Sequence, residues 1–364
     1  MIKSIVKVKP TENFKNFIDN NLCICIPLPA SQRSSSTSSS QDSMRFYNLI
    51  AYESPGEICQ SIGELDENIS YCIFAYGESG SGKTYTIVES SDSVIKHVVN
   101  NELRAGPIYI EIFEIYNEQI YDLLSDDPGI APGAPFTLKI HQRNEEFIID
   151  DLSIHLCHNQ DEFSKLLDRA IRARAVAETK LNHASSRSHL DIRISNDRKP
   201  NRYVNVIDLA GSERVKKSGV TGTGLTEAIN INKSLSCLSL VLYKLEKKQA
   251  HIPFRDSTLT KILMNSMKSQ IFVIACINCD NYEETIKTLD FADVARRVEI
   301  REITSFVPQK TQEEEGEGSL SAASTLLDSQ ELQKTRECLD RAKKIILNIE
   351  EFRERLNFGL NKRG

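Results

Sequence analysis

The stretch AYGESGSGKTYT, Ala75 to Thr86, carries every fixed position of G-x-x-x-x-G-K-[ST]. Residues of these types at this spacing can hold a polyphosphate. Gly77, Gly80 and Gly82 admit backbone conformations closed to bulkier residues, so the N–H groups of the loop, those of Glu78, Ser79 and Ser81 among them, can turn onto phosphate oxygens. Lys83 adds a mobile cation and Thr84 a hydroxyl for Mg²⁺. A helix opening near Lys83 would point its positive end at the same anion.

Two further clusters bear on what such a site does. NHASSRSH, Asn182 to His189, sets adjacent hydroxyls beside an arginine, a combination that can coordinate Mg²⁺, orient a water and pair with a carboxylate. VIDLAGSE, Val206 to Glu213, ends an apolar run in an aspartate and a glycine, suited to water-mediated Mg²⁺ binding and to a backbone N–H at a terminal phosphate. Taken singly, each is a polar turn or a strand ending in a bend. Together and in this order, coincidence explains them poorly.

The surrounding elements must hold these groups in place. Ile69 to Ala75 reads as a buried strand feeding the glycine-rich loop, and Ile2 to Val8 as another strand. HLDIRIS and RYVNVIDL, with a short polar turn between them, read as a hairpin joining the second cluster to the third. GPIYIEIFEIYNEQIYDLL alternates and then changes period, which predicts a long strand turning into a helix. PGIAPGAP is a loop by composition, and Glu227 to Lys248 is helical by pattern. Pro29 to Ser43 is a Ser-rich stretch too polar to pack, expected as a surface insertion. No linker divides the strand- and helix-like segments up to about Ile303, which favours one α/β domain.

After Thr304 the chain turns acidic and Gly/Ser-bearing, a composition expected of a flexible linker over 304–328. A short helix is then expected over 329–364. There Cys338, Ala342, Ile345, Ile349, Phe352 and Leu356 fall 4, 3, 4, 3 and 4 residues apart and form one seam. The seam is short for a coiled coil, so a homodimer, a partner or docking onto the core stays open.

The 364 residues carry a net charge of −6, which argues against general nucleic-acid affinity. No apolar run approaches the ~18–20 residues of a membrane-spanning helix, and the N-terminus lacks the apolar core of a signal peptide, so no membrane insertion is expected and the cytosol or nucleus is. The nine cysteines are irregularly spaced. Cys276 and Cys279 form a C-x-x-C inside IFVIACINC, more in keeping with a buried strand and turn than with a metal site.

At this point the sequence resembles the kinesin motor domain. GESGSGKTYT, NHASSRSH and DLAGSE are similar to that family's phosphate loop, switch I and switch II. EAININKSLSCL, HIPFRDSTLTKIL and TLDFADVARRVEI are similar to its later helices. The resemblance covers residues 1–303 and implies a P-loop NTPase-type α/β fold, with a central mixed β-sheet of about eight strands flanked by helices on both faces. It implies ATP and Mg²⁺ as cofactors, microtubules (tubulin) as partner, a microtubule-stimulated ATPase and a place on the cytoskeleton, the spindle included.

The resemblance also implies roles. Tyr85 would stack on adenine with Lys7 and Pro10 nearby. Lys83 and Thr84 would hold phosphates and Mg²⁺. Ser185 and Ser186 would close on Mg²⁺, the γ-phosphate and the attacking water, Asp208 would reach Mg²⁺ through water, and Gly211 would sense the γ-phosphate. Arg187 and Glu213 would bridge the switches. Lys216, Lys217, Lys233, Lys244, Lys247, Lys248, Arg255 and Lys261 concentrate charge on the segment matching the microtubule face.

Five departures stand out. KVKP replaces R-x-R-P, Glu78 stands where the family usually has Gln, NSMKSQ lacks a Gly-Gly, the segment between Thr86 and Gly106 is short for the family, and VEIREITSFVPQK shows no Asn latch. The motor's position at the start of the sequence motivates plus-end movement. The rival readings are a non-motile microtubule-binding scaffold or microtubule-end regulator with the same fold, and a GTPase switch, which lacks its N-K-x-D motif here.

Overall fold

The run leading into the glycine-rich loop becomes a strand with no solvent face. Tyr71 to Tyr76 are all buried, as a central strand is when both sides of its sheet are covered. Cys72, Phe74 and Tyr76 face one apolar core and Tyr71, Ile73 and Ala75 the other. The computed structural model describes residues 2–9, 18–19, 23–27, 44–47, 49–126, 137–143, 146–181, 185–196, 199–213 and 223–298. The Ser-rich stretch 29–43, the PGIAPGAP loop, the boundary at 303, the linker 304–328 and the seam within 329–364 lie outside them.

The strands in chain order are β1 (Ile2–Val8), β2 (Ile18–Asp19), β3 (Cys23–Pro27), β4 (Met44–Tyr47), β5 (Ile50–Tyr52), β6 (Tyr71–Tyr76), β7 (Ile108–Tyr116) and β8 (Gln119–Asp122). They continue with β9 (Ile140–Arg143), β10 (Glu146–Ile149), β11 (His155–Cys157), β12 (His189–Asn196), β13 (Lys199–Asp208) and β14 (Gln270–Ile277). The helices are α1 (Pro55–Ile62), α2 (Val94–Ala105), α3 (Gln160–Leu181), α4 (Thr223–Glu246), α5 (Thr258–Asn265) and α6 (Tyr282–Arg297).

Nine strands form the main sheet, ordered β11-β7-β12-β13-β6-β14-β1-β5, with β8 paired to β7. The half from β13 to β5 is parallel and the half from β11 to β13 antiparallel, so the sheet is mixed. Side chains of α1, α2 and α3 cover one face and those of α4, α5 and α6 the other. β9 and β10 form a separate two-stranded sheet and β2, β3 and β4 a three-stranded one. The expected hairpin is present as β12 and β13, and the ends of the two strands bring the second and third clusters side by side.

Two expectations need correction. The segment after β7 is no helix. Asn117 and Glu118 take positive φ angles of 52° and 66°, the geometry of a tight hairpin turn, and the chain folds back as β8. Thr258 at the start of α5 fixes that turn, its N–H and hydroxyl donating to the Glu118 carboxylate and carbonyl at 2.8 and 2.9 Å. The strand before the loop begins at Tyr71, because Ile69 is exposed.

One buried group gives the fold a pH dependence. Asp191 on β12 has both carboxylate oxygens buried without a hydrogen-bond partner among the described residues. Burial pushes its carboxyl up to about 7, against the pull of Arg193 and with a further push from Glu111. The native state therefore keeps a proton that the unfolded chain releases near pH 4, and this contribution to stability is lost as pH rises from about 4 to about 7. Urea titrations should find the wild type less stable at pH 8 than at pH 5 by on the order of 3 kcal/mol from this group. Asp191→Asn should flatten that difference.

Candidate functional site

The glycine-rich loop leaves β6 over the carbonyl end of β14. Gly77 has φ of 151°, and a Cβ there would collide with the Cys276 carbonyl of β14, so close backbone contact makes glycine obligatory. Gly77→Ala should lower the melting temperature by several degrees and weaken nucleotide binding together, since the loop and the strand beneath would both have to move. Cys276 itself is buried, its thiol pushed up to about 12, and it packs as a small apolar residue.

Lys83 is buried, and its ammonium donates to the carbonyls of Gly77 and Glu78, both at 2.9 Å. Burial holds its pKa below the usual lysine value. Ser81 closes the loop internally through its hydroxyl, which donates to the Glu78 carbonyl at 2.8 Å. Two lysines of the β1 end also reach this loop. Lys7 is buried with its ammonium beside Gly82, and Lys9 donates to the Gly80 carbonyl at 3.3 Å. The resemblance assigns Lys7 to the adenine side, whereas the structure sets its ammonium against the phosphate loop. Pro10 lies outside the described residues. Tyr85 follows with an exposed ring and opens a π-helical turn, Tyr85–Glu89.

The hydroxyl of Thr84 donates to Asp208 Oδ2 at 2.6 Å, which unites the loop with the end of β13. Asp208 is buried, and its Oδ1 has no hydrogen-bond partner among the described residues. An orphaned carboxylate oxygen beside a threonine hydroxyl fits a hydrated Mg²⁺, which keeps several waters and needs few protein ligands. No group of three metal-ligating side chains occurs among the described residues. Ser185 opens the 3-10 turn Ser185–Arg187; its side chain is outside the described set.

Backbone hydrogen bonds knit the three clusters together. Gly211 N–H donates to the Ser186 carbonyl at 2.8 Å, and Ser212 N–H to the Gly77 carbonyl at 3.0 Å. Among the described residues no ion pair joins Arg187 to Glu213. Ser79 holds both oxygens of Glu213, through its N–H at 2.8 Å and through its hydroxyl, while Arg187 is exposed. The carboxylate thus sits on a donor that the loop would otherwise present to phosphate.

Five further side chains complete the site. Arg174 of α3 donates to Glu114 of β7 at 2.9 Å and to the hydroxyl and carbonyl of Ser188 at 3.0 and 3.1 Å, and lies 3.9 Å from Asp208. His189 Nδ1 accepts from Ala210 N–H at 3.0 Å, leaving Nε2 to donate to Ser234 of α4 at 2.8 Å. Burial, with Arg174 and Lys83 nearby, pushes the His189 pKa down to about 3, so the ring is neutral. It joins the VIDLAGSE segment directly to α4. Glu114 was detectable in sequence as an acid on the strand face shared with Ile108, Ile110 and Ile112. Arg174 gave no such signal.

A comparison with protein families matches the kinesin motor domain over residues 57–298. The chain belongs to the kinesin motor family. Kinesin-like protein KIN-14K of Oryza sativa subsp. japonica is 37% identical over 280 residues, which are 68% of this chain and 27% of that relative. The chain therefore spans about a quarter of that kinesin's length. Among solved structures, the C-terminal motor and motor homology domain of Kar3Vik1, fused to a synthetic heterodimeric coiled coil, is 27% identical. It has a TM-score of 0.61 and covers 81% of this chain and 84% of that one. A KIF14 dimer with AMP-PNP, in complex with a microtubule, shares the fold at a TM-score of 0.65 and 24% identity, covering 82% of this chain and 94% of that one.

The basic residues named above sit on the layer built from α4 and α5. Lys233, Lys244, the exposed pair Lys247 and Lys248, exposed Arg255 and half-buried Lys261 lie on α4, on the turns after it and on α5, which pack against one another. Lys247 pairs with Glu246 at 3.4 Å, and Arg255 donates to Gln142 at 2.7 Å. Lys216 and Lys217 lie outside the described residues.

Proposed function

We propose that this kinesin motor domain hydrolyses ATP and couples loss of the γ-phosphate to microtubule binding and movement. One observation carries the reading: Thr84 of the phosphate loop bonds to Asp208 while Gly211 bonds to Ser186, so loop, switch I and switch II close around one point. A family neighbour that binds AMP-PNP and a microtubule, as its description states, is consistent with it.

Lys83 would exchange its two carbonyl partners for phosphate oxygens, and Thr84 with Asp208 and Ser185 would hold Mg²⁺. The ion would neutralise charge on the β- and γ-phosphates. Ser186 and Gly211 N–H would position the terminal phosphate and the attacking water, which is most of what phosphoryl transfer to water requires. Loss of that phosphate releases both switch segments. The His189 ring then offers a rigid path from Ala210 to Ser234, moving α4 and its lysines against an acidic tubulin surface. Work at the cytoskeleton follows from the same reading.

Steady-state ATP hydrolysis by the purified chain, with and without polymerised microtubules over a salt series, tests this. Stimulation that fades as salt rises is expected. Microtubule pelleting without stimulation would replace the motor by a non-motile scaffold or end regulator, and preference for GTP over ATP in competition binding would overturn the nucleotide assignment.

A further inference from the structure

Glu78 is an acid inside a phosphate-binding loop, and its surroundings specify what it does there. The residue is only 9% exposed, so its carboxylate does not escape into solvent. Its side chain turns to α6, where the Asn281 amide donates to Oε2; Asn281 also caps α6, accepting from Glu284 N–H at 3.5 Å. Its own backbone carbonyl takes one of the two hydrogen bonds of Lys83. Glu78 is therefore tied both to the cation that would meet phosphate and to the start of α6.

The charged groups facing it come from every neighbouring element. Glu284 of α6 and Glu213 beyond β13 disfavour its charge, while Lys83 on its own loop favours it. Lys287 of α6 pairs with Glu284 at 2.8 Å, which blunts that repulsion. From β1, Lys7 and Lys9 reach the loop at Gly82 and Gly80 rather than at Glu78. Burial already moves the Glu78 carboxyl above the usual carboxylate range, with the Asn281 hydrogen bond opposing.

A polyphosphate arriving in the cradle, even with Mg²⁺ bound, leaves a net negative charge beside Glu78 and shifts this balance against its carboxylate. It engages the Lys83 ammonium and brings several negative charges onto the loop, both of which disfavour the Glu78 carboxylate. We infer that binding of a nucleoside triphosphate here is accompanied by uptake of a proton from solvent onto the Glu78 carboxylate, which makes Glu78 the residue that tunes nucleotide affinity with pH. The bond formed is O–H on Glu78, the bond broken is that of the proton to a buffer acid, which is left as its conjugate base, and no other covalent bond changes. By linkage, affinity falls as pH rises through the range in which the occupied site holds this proton and the empty site does not. The inference rests on the nucleotide-binding reading above.

Calorimetric titration of the full chain with Mg²⁺ and AMP-PNP, in buffers of different ionisation enthalpy between pH 6 and 8, counts protons per nucleotide directly. Glu78→Gln keeps the shape and an acceptor for Asn281, so the fold should survive, and a melting curve checks it. Wild type should take up a measurably larger fraction of a proton than Glu78→Gln, and the variant should bind more tightly by a factor that grows with pH towards roughly tenfold. Equal proton counts and parallel pH profiles, with binding intact in both proteins, would overturn this inference alone. A folded wild type that binds no nucleotide at any pH would overturn the nucleotide reading and this inference with it.

Discussion

Lys83→Ala is expected to reduce ATP affinity by roughly a hundredfold or more and to abolish measurable hydrolysis. The ammonium is the cation at the centre of the loop, and charge-assisted hydrogen bonds to two phosphate groups contribute about 3 kcal/mol or more together. In the empty site the same ammonium is buried against the Gly77 and Glu78 carbonyls. Its removal leaves those acceptors short of a donor but also takes away a desolvated charge, so the melting temperature should change much less than the affinity. Fluorescent-nucleotide titration alongside a thermal melt separates the two. Normal hydrolysis by this variant would remove the loop from the catalytic scheme.

Glu213→Ala should separate binding from turnover. With the carboxylate gone, Ser79 N–H and its hydroxyl are released, so nucleotide affinity should hold or rise. Turnover should fall by about a hundredfold or more, since the Arg187 pairing that the family resemblance implies, not made among the described residues and proposed for the nucleotide-bound state alone, is lost, and a term made only in the reactive state shows in kcat rather than in KM. Glu213→Gln retains a contact for Ser79 without the charge and should resemble the alanine variant in kcat. Microtubule-stimulated turnover near the wild-type level in either variant would contradict the role.

The parts of this site readable from sequence are those whose chemistry forces residue types into fixed local spacing. The phosphate loop, the aspartate ending β13 and the hairpin of β12 and β13 are of this kind, and the continuous apolar run of β6 implies its burial. The β7–β8 turn is hard to read because Ile120, Leu123 and Leu124 also suit a helical period; positive φ angles at Asn117 and Glu118 decide the matter, and only Asn117 is of a type that favours them. Arg174 and Glu114 meet across 60 residues of sequence, a pairing no local pattern encodes. The Ser79–Glu213 contact is harder still to foresee, because it belongs to a conformation of the switches rather than to their composition.

Gly77 leans on the Cys276 carbonyl, and the strands beneath, β6 and β14, are paired in parallel register and buried along nearly their whole length. A floor of that kind has almost no compliance. Any change of volume in the pocket, such as the departure of a phosphate, has to be taken up on the opposite wall, where Ser186, Gly211 and Glu213 stand. The stiffness of the pocket is thus one-sided, and under the proposed function a displacement generated inside it would be directed towards α4.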